Sequence, residues 1–203
     1  MGSIKNRYKA RGGQNMEKVR VASPFRPVYP SPAGLIVSVD KSGRPNVMTA
    51  GEVFNIGLRE PCIIGIALRK ATYTHSLIIE SRQFTVNFPT LDILEKVDLV
   101  GTISGRDGLD KFSKYGLTPI ASTEITAPII GECPVNLECK MLNVSEVGDH
   151  DLFLGEVIAM HVDNDKIDGK GQVIYDKVNS FLCAGFTYHE VGKSLGPFGF
   201  SRR

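Results

Sequence analysis

Apolar and polar positions along the chain follow three periods, and each period marks a different element. Residues 34–40, Gly-Leu-Ile-Val-Ser-Val-Asp, read as a strand, and Lys41-Ser42-Gly43-Arg44 supplies a glycine-containing hairpin loop. The return strand begins near Asn46 and runs into the small residues Thr49-Ala50-Gly51, then Glu52. Backbone can approach a ligand closely there, although glycine in a strand also marks a bulge. Residues 55–61 predict a loop or a short turn of helix. Residues 62–68 are apolar throughout, so that strand needs cover on both faces. The polar cluster Arg69-Lys70-Ala71-Thr72-Tyr73-Thr74 follows, opening a helix over 72–81, and Phe84-Thr85-Val86-Asn87-Phe88-Pro89 is a strand stopped by proline.

Beyond it, residues 91–100 form a second amphipathic helix, with Leu91, Leu94 and Val97 on one face. Residues 109–115 form a third, closed by Gly116. Short strands are expected over 117–122 and 127–130. From Asn136 the alternation places Leu137, Cys139 and Met141 on one side, and its phase slips at Met141-Leu142, the mark of a β-bulge. Gly148-Asp149-His150-Asp151 is a turn, residues 152–162 are nearly all apolar, and residues 181–186 read as one more strand. Many strands with few intervening helices favour a β-barrel carrying helical insertions over a doubly wound sheet. No repeat of 20–50 residues and no Pro/Ser-rich linker divides residues 27–203, which are therefore expected to form a single domain.

Charge divides the chain differently. Residues 1–26 hold seven Lys/Arg against Glu17, whereas the remainder carries 17 basic and 21 acidic residues. The first 26 residues are expected to be a basic, disordered leader. Only Tyr8 and Phe25 are aromatic among its charges, short of the regular interleaving of a nucleic-acid-binding tail, and it lacks the apolar core of a secretory signal. No run approaches the ~18 apolar residues of a membrane span, so neither a membrane nor a nucleic acid is expected as partner. The four cysteines fit no zinc or iron–sulfur framework, and Cys62, in an apolar run, is expected to be buried. Together these features predict a reduced, cytoplasmic protein.

Two cations and two hydroxyls at a strand-to-helix junction suit a phosphate, which could use the free helix N–H groups, the Arg69 guanidinium and the hydroxyls of Thr72 and Thr74. A solvated, well-capped helix start fits the same residues. His75, His150, His161 and His189 are scattered, and no metal site is expected. His150, at a polar turn opening a long strand, can donate or accept near neutral pH or bond local backbone instead.

The succession Pro32-Ala33-Gly34, Asn46-Val47-Met48-Thr49-Ala50, Arg69 to His75 and Phe84 to Pro89 resembles the flavin reductase-like, FMN-binding split-barrel proteins, the group of flavoredoxins and NAD(P)H:flavin oxidoreductases. The later blocks Gly131 to Cys139, Gly148 to Val157 and Gly196 to Phe200 extend the resemblance to about residues 28–201. It implies a mainly β fold, a six-stranded Greek-key split β-barrel with helical insertions. It also implies a homodimer and one FMN per subunit near the dimer interface. By this resemblance Asn46, Thr49, Ala50, Gly51 and Glu52 pass beside the isoalloxazine ring, largely through backbone atoms. Arg69, Thr72 and Thr74 hold the phosphate, with Lys70 also in the cofactor site; Asn87, Phe88 and Pro89 lie near the flavin, and His150 points towards the active face. Relatives carry Ser and an aromatic where this chain has Glu52-Val53-Phe54, so Glu52 alters the electrostatics beside the ring. Where relatives have Lys-Asp-Thr this chain has Lys70-Ala71-Thr72, which removes a side-chain bond. The implied activity is an FMN-dependent oxidoreductase passing electrons from NADH or NADPH to a flavin, an iron complex or a redox protein. A non-catalytic FMN carrier, a flavin-binding sensor and a split-barrel binder of another cofactor such as haem stay open beside it.

Overall fold

A computed structural model describes residues 4–9 and 15–202 of the chain. In chain order its strands are β1 (Ile4–Lys9), β2 (Asn15–Arg20), β3 (Ser31–Pro32), β4 (Gly34–Val39), β5 (Pro45–Ala50), β6 (Val53–Gly57), β7 (Ile63–Arg69) and β8 (Gln83–Phe88). They continue as β9 (Pro119–Ile120), β10 (Ile129–Ile130), β11 (Val135–Val147), β12 (His150–Val162), β13 (Phe181–Ala184) and β14 (Thr187–Glu190). Four helices intervene: α1 (Tyr73–Ser81), α2 (Leu94–Thr102), α3 (Lys111–Tyr115) and α4 (Tyr175–Val178).

The main sheet has the order β5-β4-β8-β11-β12-β7-β6, antiparallel throughout. Its outer strand β5 comes back to touch β7, so the sheet closes on itself. It holds seven strands, one more than expected. The extra one is β6, over residues read partly as a loop from sequence. There Phe54 stands opposite Gly65 and its ring lies where a Cβ on Gly65 would be, so an aromatic face replaces the missing side chain.

Period-two alternation explains the two cores. All six residues of β4 are buried. Ile36 points with Ile66, Phe84, Val86 and Phe153 into one core, while Leu35 and Val37 point with Val47, Val97, Val100 and Phe112 into the other, beneath α2 and α3. Each such side chain contributes about 1.5–3 kcal/mol of burial. The β11–β12 hairpin carries register shifts at Glu138/Cys139 and at Met141/Asn143, the second where the alternation slips in the sequence. Gly155 is required opposite the first core, because a Cβ there would run into the Phe84 ring.

Helix ends follow local chemistry. Thr72 caps α1, Asp110 caps α3 by accepting from Ser113 N at 3.1 Å, and Gly116 closes α3 at φ 62°. Two expectations are corrected. Within the 1–26 segment read as a disordered leader, residues 4–9 and 15–20 pair as an antiparallel hairpin in a sheet of their own. Residues 1–3 and 10–14 of that segment lie outside the described residues. Cys62 is exposed, because it precedes β7 and escapes its cover; Cys133 and Cys139 are buried, and all four cysteines are free.

Candidate functional site

The last residue of β7 is Arg69, whose side chain leaves the sheet for solvent just before α1 starts. Thr72 turns the chain between them: its amide and hydroxyl both donate to Arg69 O, at 3.0 and 2.9 Å, and its Oγ1 accepts from His75 N at 3.4 Å. The junction is braced from β5, where Asn46 Nδ2 donates to Thr74 Oγ1 at 2.8 Å. That bond leaves Asn46 Oδ1 buried with no partner among the described residues. A buried acceptor without a donor costs about 1–3 kcal/mol, so Asn46 Oδ1 lacks a hydrogen bond that the described residues do not supply.

A cavity of about 240 Å³ opens here, walled by Asn46, Met48, Arg69, Thr72 and the end of α2. Gly105 closes one side, where a Cβ would strike the Asn46 amide. Lys111 forms the floor. Its Nζ donates to Val47 O at 2.9 Å and Val100 O at 2.8 Å, and burial pushes its pKa down to about 8. At the rim, Arg106 lies over the Tyr73 ring at 5.5 Å and donates to Ala71 O at 3.4 Å. The wall is therefore cationic, with hydroxyls between the charges, and suits an anion such as a phosphate monoester.

Other residues named from sequence point elsewhere. Lys70 is drawn to Glu146 at 2.8 Å and Asp151 at 3.6 Å, and the Glu146 carboxylate raises its pKa. Thr49 Oγ1 donates to Val97 O at 2.5 Å on the α2 side, and Ala50 is buried in the first core. Asn87 uses its whole amide inside the protein: it donates to Leu35 O and Thr85 Oγ1, both at 2.9 Å, and accepts from Ile130 N and Asn136 Nδ2. Phe88 and Pro89 line a different opening, an apolar groove of about 550 Å³ shared with Phe54, Val157 and Met160. His150 opens β12 directly across from Arg69, with Nδ1 2.8 Å from Asp149 Oδ1; it stands beside the cationic cavity without walling it. His75 instead meets Asp151 Oδ2 at 2.9 Å and packs edge-on against Phe153, tying the start of α1 to β12.

Gly51 and Glu52 border a third opening of about 590 Å³, between the β5–β6 turn and the segment around Arg26 and Ser31. Arg26 reaches Glu52 at 3.1 Å, and the Cys183 thiol sits nearby, pushed up in pKa by burial. Lys111, Arg106, Arg26 and Cys183 were not readable as site residues. Each arrives from a segment distant in sequence, and nothing in the local pattern sets Lys111 apart from Lys114 in the same helix. Among the described residues no three of His, Cys, Asp and Glu gather as a metal-holding group, and no helix is long and apolar enough to cross a membrane.

The site fits FMN on its own chemistry. The cationic junction matches a phosphate, the orphaned Asn46 Oδ1 matches a donor on the cofactor, and the backbone at Gly51 offers a close approach to a flat ring. Comparison with known proteins points the same way. Residues 26–179 match the model of the flavin reductase like domain. An uncharacterised protein of Archaeoglobus fulgidus is 42% identical over 150 residues, covering 73% of this chain and 81% of its own. An NADH:riboflavin 5′-phosphate oxidoreductase of Streptomyces pristinaespiralis is 29% identical over 126 residues, covering 62% of this chain and 67% of its own. Among solved structures, the flavoredoxin of Desulfovibrio vulgaris superposes with a TM-score of 0.83 at 31% identity, over 91% of this chain and 99% of that one. A Shewanella frigidimarina protein with a split barrel domain shares the fold, at a TM-score of 0.77 and 20% identity over 85% of this chain and 87% of that one.

Proposed function

This chain belongs to the flavin reductase like domain family, and from that premise we propose that it binds FMN and transfers electrons from NADH or NADPH to a flavin, an iron complex or a redox protein. The observation that carries the reading is the buried, unpartnered Asn46 Oδ1 beside the exposed Arg69 guanidinium and the Thr72 cap. FMN supplies the hydride and electron chemistry, so no protein nucleophile is called for. Arg69 binds the phosphate with help from Thr72 and the first N–H groups of α1. Asn46 accepts a hydrogen bond from the cofactor, and Lys111 holds a positive charge beneath it. Lys70, Thr49 and Asn87 are left with supporting roles, since their polar groups are already engaged.

His150, opposite Arg69, is the residue we assign to orienting the nicotinamide or supplying a proton. The chain acts as a homodimer whose interface covers the apolar groove along Phe54, Val157 and Met160. The likeness to a flavoredoxin favours one further reading, an electron carrier without its own nucleotide site.

Stopped-flow mixing of the FMN-loaded protein with NADH and then NADPH separates the two. Bleaching of the flavin absorbance by either nucleotide is expected. With His150→Ala, bound FMN should be retained and the nucleotide-driven rate should fall about 10²–10⁴-fold if the imidazole acts as acid or base. Reduction by dithionite alone, with neither nucleotide active, would establish the carrier instead.

A further inference from the structure

The cationic cavity is too small to take a whole FMN, since pockets for such ligands run to about 300–1,000 Å³. On the reading above, the cofactor's ring must therefore leave it. β5 offers the route, with Asn46 and Met48 on the first cavity and the residues just past its end, Gly51 and Glu52, on the larger one. Six residues of strand span about 17–20 Å.

At the far end the ring would meet a carboxylate, and the structure has already answered it with a cation. Arg26 Nη2 lies 3.1 Å from Glu52 Oε1, and both side chains are about a third exposed, at 38% and 35%. Arg26 is not there by default. Its backbone sits at φ 42°, in the left-handed region that a non-glycine residue occupies only when its surroundings hold it. Those surroundings are specific: Phe25 stacks on Phe186 with ring centroids 4.8 Å apart, and Arg26 Nη1 donates to Gly185 O at 3.4 Å. Among the described residues Arg26 is one of three non-glycine residues in the left-handed region, with Arg82 and Asn179, and its conformation presents the guanidinium to Glu52.

We propose that Arg26 is a charge-compensating residue that sets the reduction potential of a flavin bound against Gly51 and Glu52. The inference rests on FMN occupying the site described above. Two-electron reduction with uptake of one proton adds one negative charge to the ring, and a bare Glu52 carboxylate opposes that charge. The Arg26–Glu52 pair is neutral and removes the opposition, so the two residues act as one unit. Each alone shifts the potential, in opposite directions, and together they cancel.

The test is reductive titration with dithionite against indicator dyes, on FMN-loaded wild type, Arg26→Gln, Glu52→Gln and the double variant. Arg26→Gln should lower the reduced-to-oxidised ratio at a given potential about tenfold, which is about 30 mV for a two-electron couple. Glu52→Gln should raise it by a similar factor, and the double variant should return close to wild type. FMN binding with unchanged potentials in both single variants would overturn the inference alone. Failure of the wild type to take up FMN would overturn the binding reading and the inference with it.

Discussion

Arg69 is the residue on which the binding reading is most exposed to test. Among the described residues it makes no ion pair, and its charge reaches only the exposed Asp149 carboxylate, whose pKa it helps lower after His150. Arg69→Ala should therefore leave folding almost unchanged while weakening FMN binding by about 1.5–3 kcal/mol, the scale of a charge-assisted hydrogen bond. Riboflavin, which lacks the phosphate, should bind wild type and variant alike. Fluorescence titration with both ligands checks this, and equal FMN affinities would remove Arg69 from the site. At this scale the sequence revealed the groups whose chemistry is local. A cation and hydroxyls where a strand meets a helix are visible in Arg69 and Thr72, because six neighbouring residues create the junction. Lys111 and Arg26 were invisible for the opposite reason. Lys111 becomes a site residue only because Val47 O and Val100 O receive its protons, 64 and 11 residues away. The Thr49 hydroxyl and the Asn87 amide bond within the protein, and such partners from distant segments are not visible in the sequence.

Glu138 on β11 fastens the connection between β9 and β10 to the main sheet. Fully buried, it accepts from Thr123 N at 2.7 Å, Thr123 Oγ1 at 2.9 Å, Glu124 N at 2.8 Å and His161 Nε2 at 2.6 Å. Burial pushes its pKa up, but these donors outweigh it and hold the carboxyl at about 2. A carboxyl depressed in the folded state contributes stability above its unfolded pKa and loses it as pH falls through the folded value. The contribution, on the order of 3 kcal/mol, is thus present above about pH 4.5 and gone near pH 2. Urea midpoints measured between pH 5 and 2 should fall more steeply for wild type than for Glu138→Gln; parallel slopes would refute the role. Elements were legible wherever one local signal dominated. Thr72 and Gly116 mark helix ends, and the slipped alternation at Met141-Leu142 marks a bulge. β6 escaped because its pattern is too short and too polar to read as a strand, with Asn55 and Gly57 inside it. It exists because β7 offers Gly65 as a seat for Phe54.

In the molecule as a whole, one stretch of exposed apolar surface borders the apolar groove. Phe54, Ile56, Leu58, Met160 and Tyr175 are all exposed, and three of them line the groove. The groove runs beside β6, which has no partner on its outer edge in the main sheet, and contiguous surface of this kind marks an interaction site. Sequence had assigned the uncovered faces to β7 and β12 alike, but β7 is largely covered within the chain, and it is β12 that leaves Leu152, Leu154 and Met160 partly open. Sedimentation at micromolar concentration should show a dimer, and Met160→Glu should shift it towards monomer. A wild-type monomer carrying full FMN would refute the interface. The strand order also has a consequence in time. β7 lies between β6 and β12, yet β12 begins about eighty residues after β7 ends. At about 5–20 residues per second, a ribosome releases β7 about 4–16 s before its second partner exists. During that interval the newborn chain carries an apolar strand with an open edge, and whatever shields nascent proteins in its cell must shield residues 63–69 until that edge closes.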